Sequence, residues 1–575
     1  MLQESIEVFK KELREYGDRL ITDNYIPKDG TYIIVPSDYS KPEVFEIKYN
    51  KKKDEIEGIE NLNFRKVCNY DYNSILIDMN KPIDSKKVIH SNNYYTFFIK
   101  KESLITKKLK EEIIDNYYDI LSDPNIKYTK TKAREIYTYV ETDLEEIDQE
   151  ILMNNKKWIK ENIFNLEELG IDISSKDYVK IFFEADIEKY EQEGRRYLIP
   201  NVFNNNDYNK LVDGELYGLH NNNMGLNAKK PYLENKSKKI EIPNLISIEE
   251  AINQKKFFDH LMNLASKSLV NIYISEDKIK YFKNGNMPDK SFEGSYMRIK
   301  KGKEVEIEAY DIVPSYKHIL KKPFIYENIL DVDKKYEPES GYGKYTNKAT
   351  MQNLINDVLF SKYLQNNYFT KASDISLNDI TLKNNLLVSR DAIFNYLYKS
   401  NNEQIYILLY NTSMNLIKNS IRNGYITKAS HQFNFRCSIE NYIKGGSNMA
   451  DIISDIKNEL REKINANETP MINSDREYYF AVGQYVGYLI SKSKSKVKPQ
   501  SLLNPFINAK NEELLREKLK NLYKKYNYDV QGKRQDNMYA MVLSYKAEGK
   551  IDQDMIIAGY LHSNLIYESK DKKEN

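Results

Sequence analysis

The stretch from Gly218 to Lys239 carries the side chains best suited to binding a polar, charged ligand. It reads GLHNNNMGLNAKKPYLENKSKK, in which amides and glycines are followed by five lysines and a single acid, Glu234. Amides can hydrogen-bond to base edges and lysines can hold phosphates, so the pattern suits nucleic acid. Gly225 would let the backbone approach such a ligand closely. The turn-forming residues predict a long exposed loop, and a solvated loop without a ligand is the alternative.

Two further basic clusters are candidates for holding a phosphate backbone. The first surrounds Gly302 in a predicted hairpin, and the second follows a predicted helix and alternates with serine and valine. Their members are Arg298, Lys300, Lys301 and Lys303 in the first, and Lys492, Lys494, Lys496 and Lys498 in the second. A solvated connector is the alternative for the second cluster. The pair Arg195 and Arg196 either contacts nucleic acid or partner subunits, or braces the protein through buried carboxylates.

The sequence contains no recognisable catalytic or metal-binding motif. Its six histidines show no pairing at metal-ligand spacing, and its two cysteines, Cys68 and Cys437, are far apart. There is no phosphate-binding GxxxxGK[ST] loop, no GxGxxG after a strand and no GxSxG elbow. These observations favour a non-catalytic binding or assembly subunit without cofactor or metal. The alternative is a stand-alone nucleic-acid-binding enzyme, such as a nuclease, whose site has no known motif.

The composition predicts a folded protein of the cytoplasm. Of the 575 residues, 41% are apolar and 30% are charged, which is typical of globular chains. With 87 basic against 85 acidic residues, any basic surface must arise by segregation of charge. We find no signal peptide and no apolar run near the ~20 residues that a membrane span requires. Tyrosine is so frequent, at 48 residues, that its abundance by itself says little about function.

Hydrophobic periodicity predicts an α+β protein, with a mixed N-terminal body followed by an all-helical C-terminal bundle. The predicted domains are 1–340, a helical connecting region 341–448 and a helical bundle 449–575. Predicted strands are 31–36, 44–49, 94–99, 179–183, 270–275, 278–282 and 305–310. Predicted helices are 2–20, 109–121, 148–164, 248–265, 348–365, 389–399, 404–422, 449–465, 474–491, 511–526, 537–547 and 553–567. Gly483 and Gly487, one turn apart, would let another helix come close.

Six stretches, taken together, resemble one family. The stretches occur in the same order along the chain as in the family, and they share glycine, proline and aromatic positions with the family. They are KKVIHSNNYYTFF (86–98), RRYLIPNVFNNNDYN (195–209), GELYGLHNNNMGLNAKKPYLENKSKK (214–239), FAVGQYVGYLISKSKSK (480–496), SLLNPFINAK (501–510) and DQDMIIAGYLHSNLIYE (552–568). In these stretches the chain resembles the large subunit of the type I-B CRISPR Cascade, an RNA-guided surveillance complex for antiviral defence in bacteria.

The resemblance implies a role within a ribonucleoprotein complex. Base pairing between the guide crRNA and the target strand reads the sequence, while protein reads the short protospacer-adjacent motif (PAM). In Cascades the large subunit reads the PAM in double-stranded DNA, helps to stabilise the R-loop and helps to recruit a separate helicase-nuclease. The implied partners are therefore crRNA, target DNA, the helicase-nuclease, and the backbone, 5′-handle-binding and small subunits. No membrane partner is implied.

By the same resemblance, the loop from Asn222 to Lys230 is the candidate PAM reader. Its amides would contact base edges, its glycine would allow close approach and its lysine pair would hold phosphates. These residues are Asn222, Asn223, Gly225, Asn227, Lys229 and Lys230. Lys236, Lys238 and Lys239 are further candidates for contact with the phosphate backbone. The sequence does not define the PAM, the guide or the stoichiometry.

The C-terminal helical part resembles the small Cascade subunits, which line the path of the opened DNA. Type I-B systems make a separate small subunit by internal translation within the large-subunit gene. Here Lys444-Gly445-Gly446 precedes Met449, and codons for these residues can spell a ribosome-binding site just upstream of the Met449 codon. The resemblance thus implies a second product covering residues 449–575. An ordinary Gly-Gly hinge between helices is the alternative, and both can hold.

Overall fold

A computed structural model describes most of the chain. The described residues are 2–50, 53, 55–74, 82–204, 206–220, 245–401, 404–445, 449–468, 470–496 and 499–568. The chain divides into two compact units. The first comprises Met1–Asn284 and Gly294–Ile312, and the second comprises Gly285–Glu293 and Val313–Asn575.

Strands of the first unit form three sheets. They are β1 (Gly30–Val35), β2 (Glu43–Asn50), β3 (Glu55–Glu57), β4 (Thr96–Lys100), β5 (Tyr178–Phe183), β6 (Lys210–Val212), β7 (Glu215–Leu219), β8 (Leu245–Ser247), β9 (Leu269–Ile274), β10 (Ile279–Lys283), β11 (Phe292–Lys301) and β12 (Val305–Tyr316). The sheet orders are β3-β2-β1-β5-β4, β6-β7-β8 and β10-β9-β11-β12. The boundary between the units falls within β11 and β12.

The helices of this unit cover the sheets. They are α1 (Leu2–Tyr16), α2 (Arg19–Thr22), α3 (Phe64–Tyr72), α4 (Lys101–Ile105), α5 (Glu111–Ser122), α6 (Thr131–Glu141), α7 (Gln149–Asn162), α8 (Ile187–Leu198) and α9 (Ile248–Ser266). In the five-stranded sheet β1 and β5 pair in parallel, and the remaining pairs are antiparallel. Every residue of β1 is buried, as expected of a strand covered on both faces. The apolar cores pack this sheet against α3, α5, α7 and α8, and the four-stranded sheet against α1 and α9.

The second unit is a hairpin followed by a run of helices, which confirms the predicted α+β class. Its strands are β13 (Ile319–Tyr326) and β14 (Gly343–Asn347). Its helices are α10 (Lys348–Leu354) with a π turn at Ile355–Leu359, α11 (Ile380–Lys399), α12 (Ile405–Arg422), α13 (Ile426–Lys444), α14 (Met449–Asn465), α15 (Asp475–Ser491), α16 (Asn504–Ile507), α17 (Glu512–Tyr526), α18 (Lys533–Ser544) and α19 (Gln553–Leu561). No helix in the described part of the chain has the length and apolar content of a membrane span.

Residues 341–448 and 449–575 contribute to one core in this unit. Ile417 and Phe433 belong to the same buried apolar cluster as Val482 and Ile556. A clamp between α13 and α19 reinforces the shared packing. Arg436 donates from Nε and Nη2 to the two carboxylate oxygens of Asp554, at 2.8 and 3.0 Å. The two helical regions are therefore held together by apolar contact and by a nearly buried ion pair.

Some predicted elements have the wrong extent, and some observed helices were not predicted. The single helix expected over 348–365 is shorter, because the backbone at Ser361 and Lys362 turns into the left-handed region with φ of 51° and 68°. The helices α3, α6, α8 and α13 were not predicted. By contrast, the predicted helix 449–465 matches α14 at both ends.

Candidate nucleic-acid interface

The small sheet β6-β7-β8 holds both ends of the lysine- and asparagine-rich segment. Leu219, at the end of β7, pairs with Leu245, at the start of β8, so the intervening chain leaves and re-enters at adjacent strand positions. The proposed PAM-reading residues lie in that interval, outside the described residues. They are Asn222, Asn223, Gly225, Asn227, Lys229 and Lys230, and the same applies to Lys236, Lys238 and Lys239. The structure therefore describes the attachment of this segment but not the segment itself.

The first residues assigned to the predicted exposed loop belong to a strand. Gly218 and Leu219 are buried residues of β7, which corrects the prediction that the loop starts at Gly218. A Cβ at position 218 would lie 2.3 Å from Cγ of the Phe203 ring, so only glycine lets the strand lie against that ring. The amide N–H of Asn204 donates to the carbonyl of Leu219 at 3.0 Å. The asparagine-rich stretch 203–209 thus supports the outgoing strand.

The returning strand is fixed by the helix that follows it. β8 leads directly into α9, and Ser247 is the N-cap of that helix. Its hydroxyl accepts from the N–H of Glu250 at 3.2 Å, and the Glu250 carboxylate accepts from the N–H of Ser247 at 3.1 Å. This reciprocal capping box holds the end of β8 in one geometry. Both ends of the 220–244 segment therefore join paired strands.

The two adjacent arginines have different environments. Arg196 is 1% exposed and donates from Nε and Nη2 to the Glu193 carboxylate, and from Nη2 to the carbonyl of Glu145 at 2.7 Å. Its guanidinium therefore stabilises the first unit through the buried Glu193 carboxylate. This is the structural alternative given above for the arginine pair. Arg195 is exposed and lines a cavity of about 430 Å³ beside α9. Only Arg195 of the pair is accessible to a ligand.

The Arg298 cluster is largely engaged within its own sheet. Arg298 donates from Nη1 to the side-chain oxygens of Asn271 and Asn284, at 2.8 and 3.1 Å. Its Nε lies 3.6 Å from the Glu308 carboxylate, and Lys300 Nζ lies 3.9 Å from the same group. Glu308 on β12 therefore offsets positive charge on β11. Lys300 and Lys301 are exposed, whereas Arg298 stabilises the sheet.

Two of the lysines after α15 lie beside tyrosine rings. Lys492 Nζ is 4.9 Å from the ring centre of Tyr488 and 5.4 Å from that of Tyr567. Lys494 Nζ is 4.9 Å from the ring centre of Tyr528. Tyr528 and Tyr567 are 54% and 55% exposed. We call Lys492, Lys494, Lys496, Tyr528 and Tyr567 the tyrosine–lysine surface; Lys498 lies outside the described residues.

Hydrogen bonds fix this surface to the helix beneath it. The Tyr528 hydroxyl donates to the carbonyl of Lys492 at 3.3 Å, and the hydroxyls of Tyr567 and Ser491 are 2.7 Å apart. Rings held in this way offer faces for stacking of bases, and the neighbouring ammonium groups can attract phosphates. The tyrosines were not identified from the sequence, because they come from separate segments of a tyrosine-rich chain. In the sequence, the only signal that points to these tyrosines is a run of lysines in a chain whose neighbouring helical segments carry tyrosines.

Among the described residues, no group of three or more His, Cys, Asp or Glu residues is placed to hold a metal ion. Burial lowers the pKa of His260 to about 4 and also lowers the pKa of His90, His220 and His431. These imidazoles are therefore mainly neutral at neutral pH. Cys437 is fully buried, and burial raises the pKa of its thiol.

Comparisons with known proteins give no further guide. No family model matches the chain, and neither the curated proteins nor the solved structures give a significant match.

Proposed function

We propose that this chain is a non-catalytic large subunit of a type I-B CRISPR Cascade that acts in the bacterial cytoplasm. In this role it reads the PAM in double-stranded DNA, helps to hold the R-loop and helps to recruit a separate helicase-nuclease. Its partners would be crRNA, target DNA, the helicase-nuclease, and the backbone, 5′-handle-binding and small subunits. Sequence resemblance over six stretches supports this assignment.

The tyrosine–lysine surface is the observation that carries the proposal. Exposed tyrosine rings beside lysines are typical of sequence-tolerant sites for single-stranded nucleic acid, because every base has a stacking face. An R-loop contains a displaced single strand that needs such a site. The surface also lies in the C-terminal helical part, where the resemblance places the path of the opened DNA.

The attachment of the 220–244 segment supports the PAM-reading part of the proposal. Its two ends are paired at Leu219 and Leu245, and its sequence combines amides with lysines. Amide side chains can discriminate base edges, at about 1–3 kcal/mol for a good bidentate contact. The paired strands fix where this segment leaves and re-enters the first unit.

Purification of the tagged chain from its native host tests the proposal. We expect short repeat-derived guide RNAs and Cascade backbone subunits to co-purify, as detected by RNA sequencing and mass spectrometry. Recovery of the chain alone, free of guide RNA, would contradict the assignment. The nuclease alternative predicts cleavage of labelled RNA or DNA with a divalent metal, in an activity that tracks the purified protein.

A further inference from the structure

A cleft with a volume of about 670 Å³ opens in the first unit where the parallel strands β1 and β5 end. Pro36 and Ser37 follow β1 at one side of it, and residues 184–187 follow β5 at the other. In α/β sheets ligands bind preferentially outside the carboxyl ends of parallel strands. The volume lies within the range of about 300–1,000 Å³ that small-ligand sites occupy.

Aromatic rings held by buried polar contacts line this cleft. The Tyr39 hydroxyl donates to Oδ1 of Asn155 at 2.9 Å, and the Asn155 side chain donates in turn to the carbonyl of Tyr94 at 3.1 Å. Asn155 is fully buried, so it fixes the direction of the Tyr39 side chain. The Tyr39 ring lies 6.2 Å from Phe183, at an angle of 55°. Phe183 is 3% exposed and Tyr39 is half-buried, so a planar ligand could lie against the Tyr39 ring with Phe183 packed behind it.

The backbone at Tyr39 supports a functional role for its ring. Its φ is 58°, in the left-handed region that a bulky side chain seldom adopts. Such conformations cost free energy and persist where the surroundings hold them, and they cluster at ligand sites. The N–H of Tyr39 donates to the carbonyl of Pro36 at 2.9 Å, which closes the turn at the end of β1.

The rim of the cleft carries two lysines, Lys66 and Lys189, and two carboxylates, Glu184 and Asp186. Lys189 is an exposed residue in the first turn of α8 and lines the cleft. Lys66 on α3 forms an ion pair with Glu184 and lies 5.8 Å from the ring centre of Tyr70. The unpaired N–H groups of a helix N-terminus also favour an anion. With Asp186 nearby, the rim suits one anionic group rather than a polyanion.

We propose that this cleft binds one unpaired nucleotide, with its base against Tyr39 and its phosphate near Lys189. A free mononucleotide and an unpaired nucleotide of a single strand share this chemistry, and both are sources of the ligand. The inference does not depend on the PAM-reading segment, the tyrosine–lysine surface or assembly into a complex. It therefore stands or falls separately from the proposed function.

Fluorescence of 2-aminopurine in the full-length chain tests the inference. One probe is 2-aminopurine riboside 5′-monophosphate, and the other is a short single strand with one internal 2-aminopurine. We expect saturable quenching on binding, because stacking on tyrosine quenches this base. Lys189→Ala should weaken binding by about tenfold, since a hydrogen bond to a charged group is lost. Tyr39→Leu should reduce the quenching while keeping an apolar side chain.

The control is Lys176→Ala, which removes an exposed lysine of the same unit away from the cleft. If both probes are quenched and Lys189→Ala weakens their binding, the cleft is a mononucleotide site. If only the single strand is quenched, the cleft binds an unpaired nucleotide within a strand. The inference is overturned if neither probe binds, or if Lys189→Ala and Lys176→Ala bind both probes as the unchanged protein does. Lys189 is exposed, so its replacement tests the site even if Tyr39→Leu fails to fold.

Discussion

Gly483 on α15 lies so close to Ile556 on α19 that a Cβ at position 483 would be 2.1 Å from the Ile556 carbonyl oxygen. The contact is reciprocal, because a Cβ at Gly559 would be 2.1 Å from the carbonyl oxygen of Phe480. Between them the buried Gln484 donates to the carbonyl of Gly559 at 2.6 Å and accepts from the N–H of Leu565 at 2.9 Å. The predicted close approach of another helix at Gly483 is thus confirmed.

Gly483→Ala should therefore destabilise the second unit, by about 1–3 kcal/mol or more, since the new methyl group would overlap backbone and not a movable side chain. Gly487→Ala is the matched control. There the nearest atom is Cδ2 of Tyr560 at 3.5 Å, an ordinary contact, and alanine has the higher helix propensity by about 1 kcal/mol. Thermal unfolding of both variants measures the difference. Equal stability of the two variants would contradict the packing described for α15 and α19.

The success of sequence prediction differs between α14 and α13 for a physical reason. α14 buries one face, which includes Ile453, Ile456 and Leu460. The helical spacing of these apolar residues in the sequence therefore indicated both ends of the helix. In α13 every residue from Ala429 to Ile439 is buried, including polar ones such as Gln432 and Asn434. A helix that is buried all round has no amphipathic period, and its polar residues make it resemble a loop. Burial of that kind depends on tertiary contacts that a single sequence does not display.

The same limit applies to the candidate sites. The lysines of the tyrosine–lysine surface were found because they recur at every second position of one short segment, whereas Tyr528 and Tyr567 reach them only through the fold. Arg298 was counted as a phosphate-backbone candidate because nothing local shows that Asn271 and Asn284 accept from its guanidinium. Local charge patterns therefore identify cations, but their partners decide which cations are accessible.

Replacement of exposed tyrosines tests the tyrosine–lysine surface. Tyr567→Ala should weaken binding of single-stranded DNA by about 1–3 kcal/mol if one base stacks on this ring. Tyr567→Phe keeps the ring and should retain most of the affinity. Titration of a labelled oligonucleotide at fixed salt provides the measurement.

The control for this surface is Tyr425→Ala, which removes a ring of similar exposure, 59%, elsewhere in the second unit. Removal of Tyr425 should leave the affinity unchanged. The assignment of the surface is wrong if the two alanine variants bind the oligonucleotide equally well.

Charge removal at Lys229 and Lys230 tests the PAM-reading segment. The double alanine variant should bind PAM-containing duplex less tightly, and its dependence of log K on log salt should be shallower by up to about two, because each phosphate contact contributes about 0.9 to the slope. Alanines at Lys130 and Lys132, exposed lysines of the first unit, form the control. Unchanged affinity, salt slope and PAM preference would show that the segment does not read DNA.

The buried Lys348 should make the free energy of unfolding depend on pH in the alkaline range. Its side chain is 3% exposed, lies 4.9 Å from the ring centre of Tyr316, and donates to the neutral hydroxyl of Ser400. Burial lowers its pKa to about 8. The unfolded chain, with the ordinary value near 10.5, therefore binds more protons between pH 8 and 10.5, so the free energy of unfolding rises across that window.

The difference between 10.5 and about 8 corresponds to about 3 kcal/mol of destabilisation below pH 8. Lys348→Met removes the charge and keeps a long apolar chain, so it should stabilise the protein at pH 7 and have little effect near pH 10.5. Denaturant unfolding of both proteins across this range gives the comparison. A constant difference between them at all pH values would show that Lys348 does not titrate as described.

The internal product beginning at Met449 can be tested in the gene and in the protein. α14 begins at Met449, and Gly445 ends α13 with a φ of 61°, so the product would start at an element boundary. Synonymous changes in the Gly445 and Gly446 codons should abolish a short C-terminally tagged product on an immunoblot and leave the full chain unchanged. Met449→Leu, which retains an apolar helix-forming side chain, should have the same effect. The product would lack Arg436, which pairs with Asp554, and it would also lack the apolar residues of α12 and α13 that cover its core. We therefore expect it to be stable only in association with other subunits. A short product that persists after both changes would refute internal initiation at this codon.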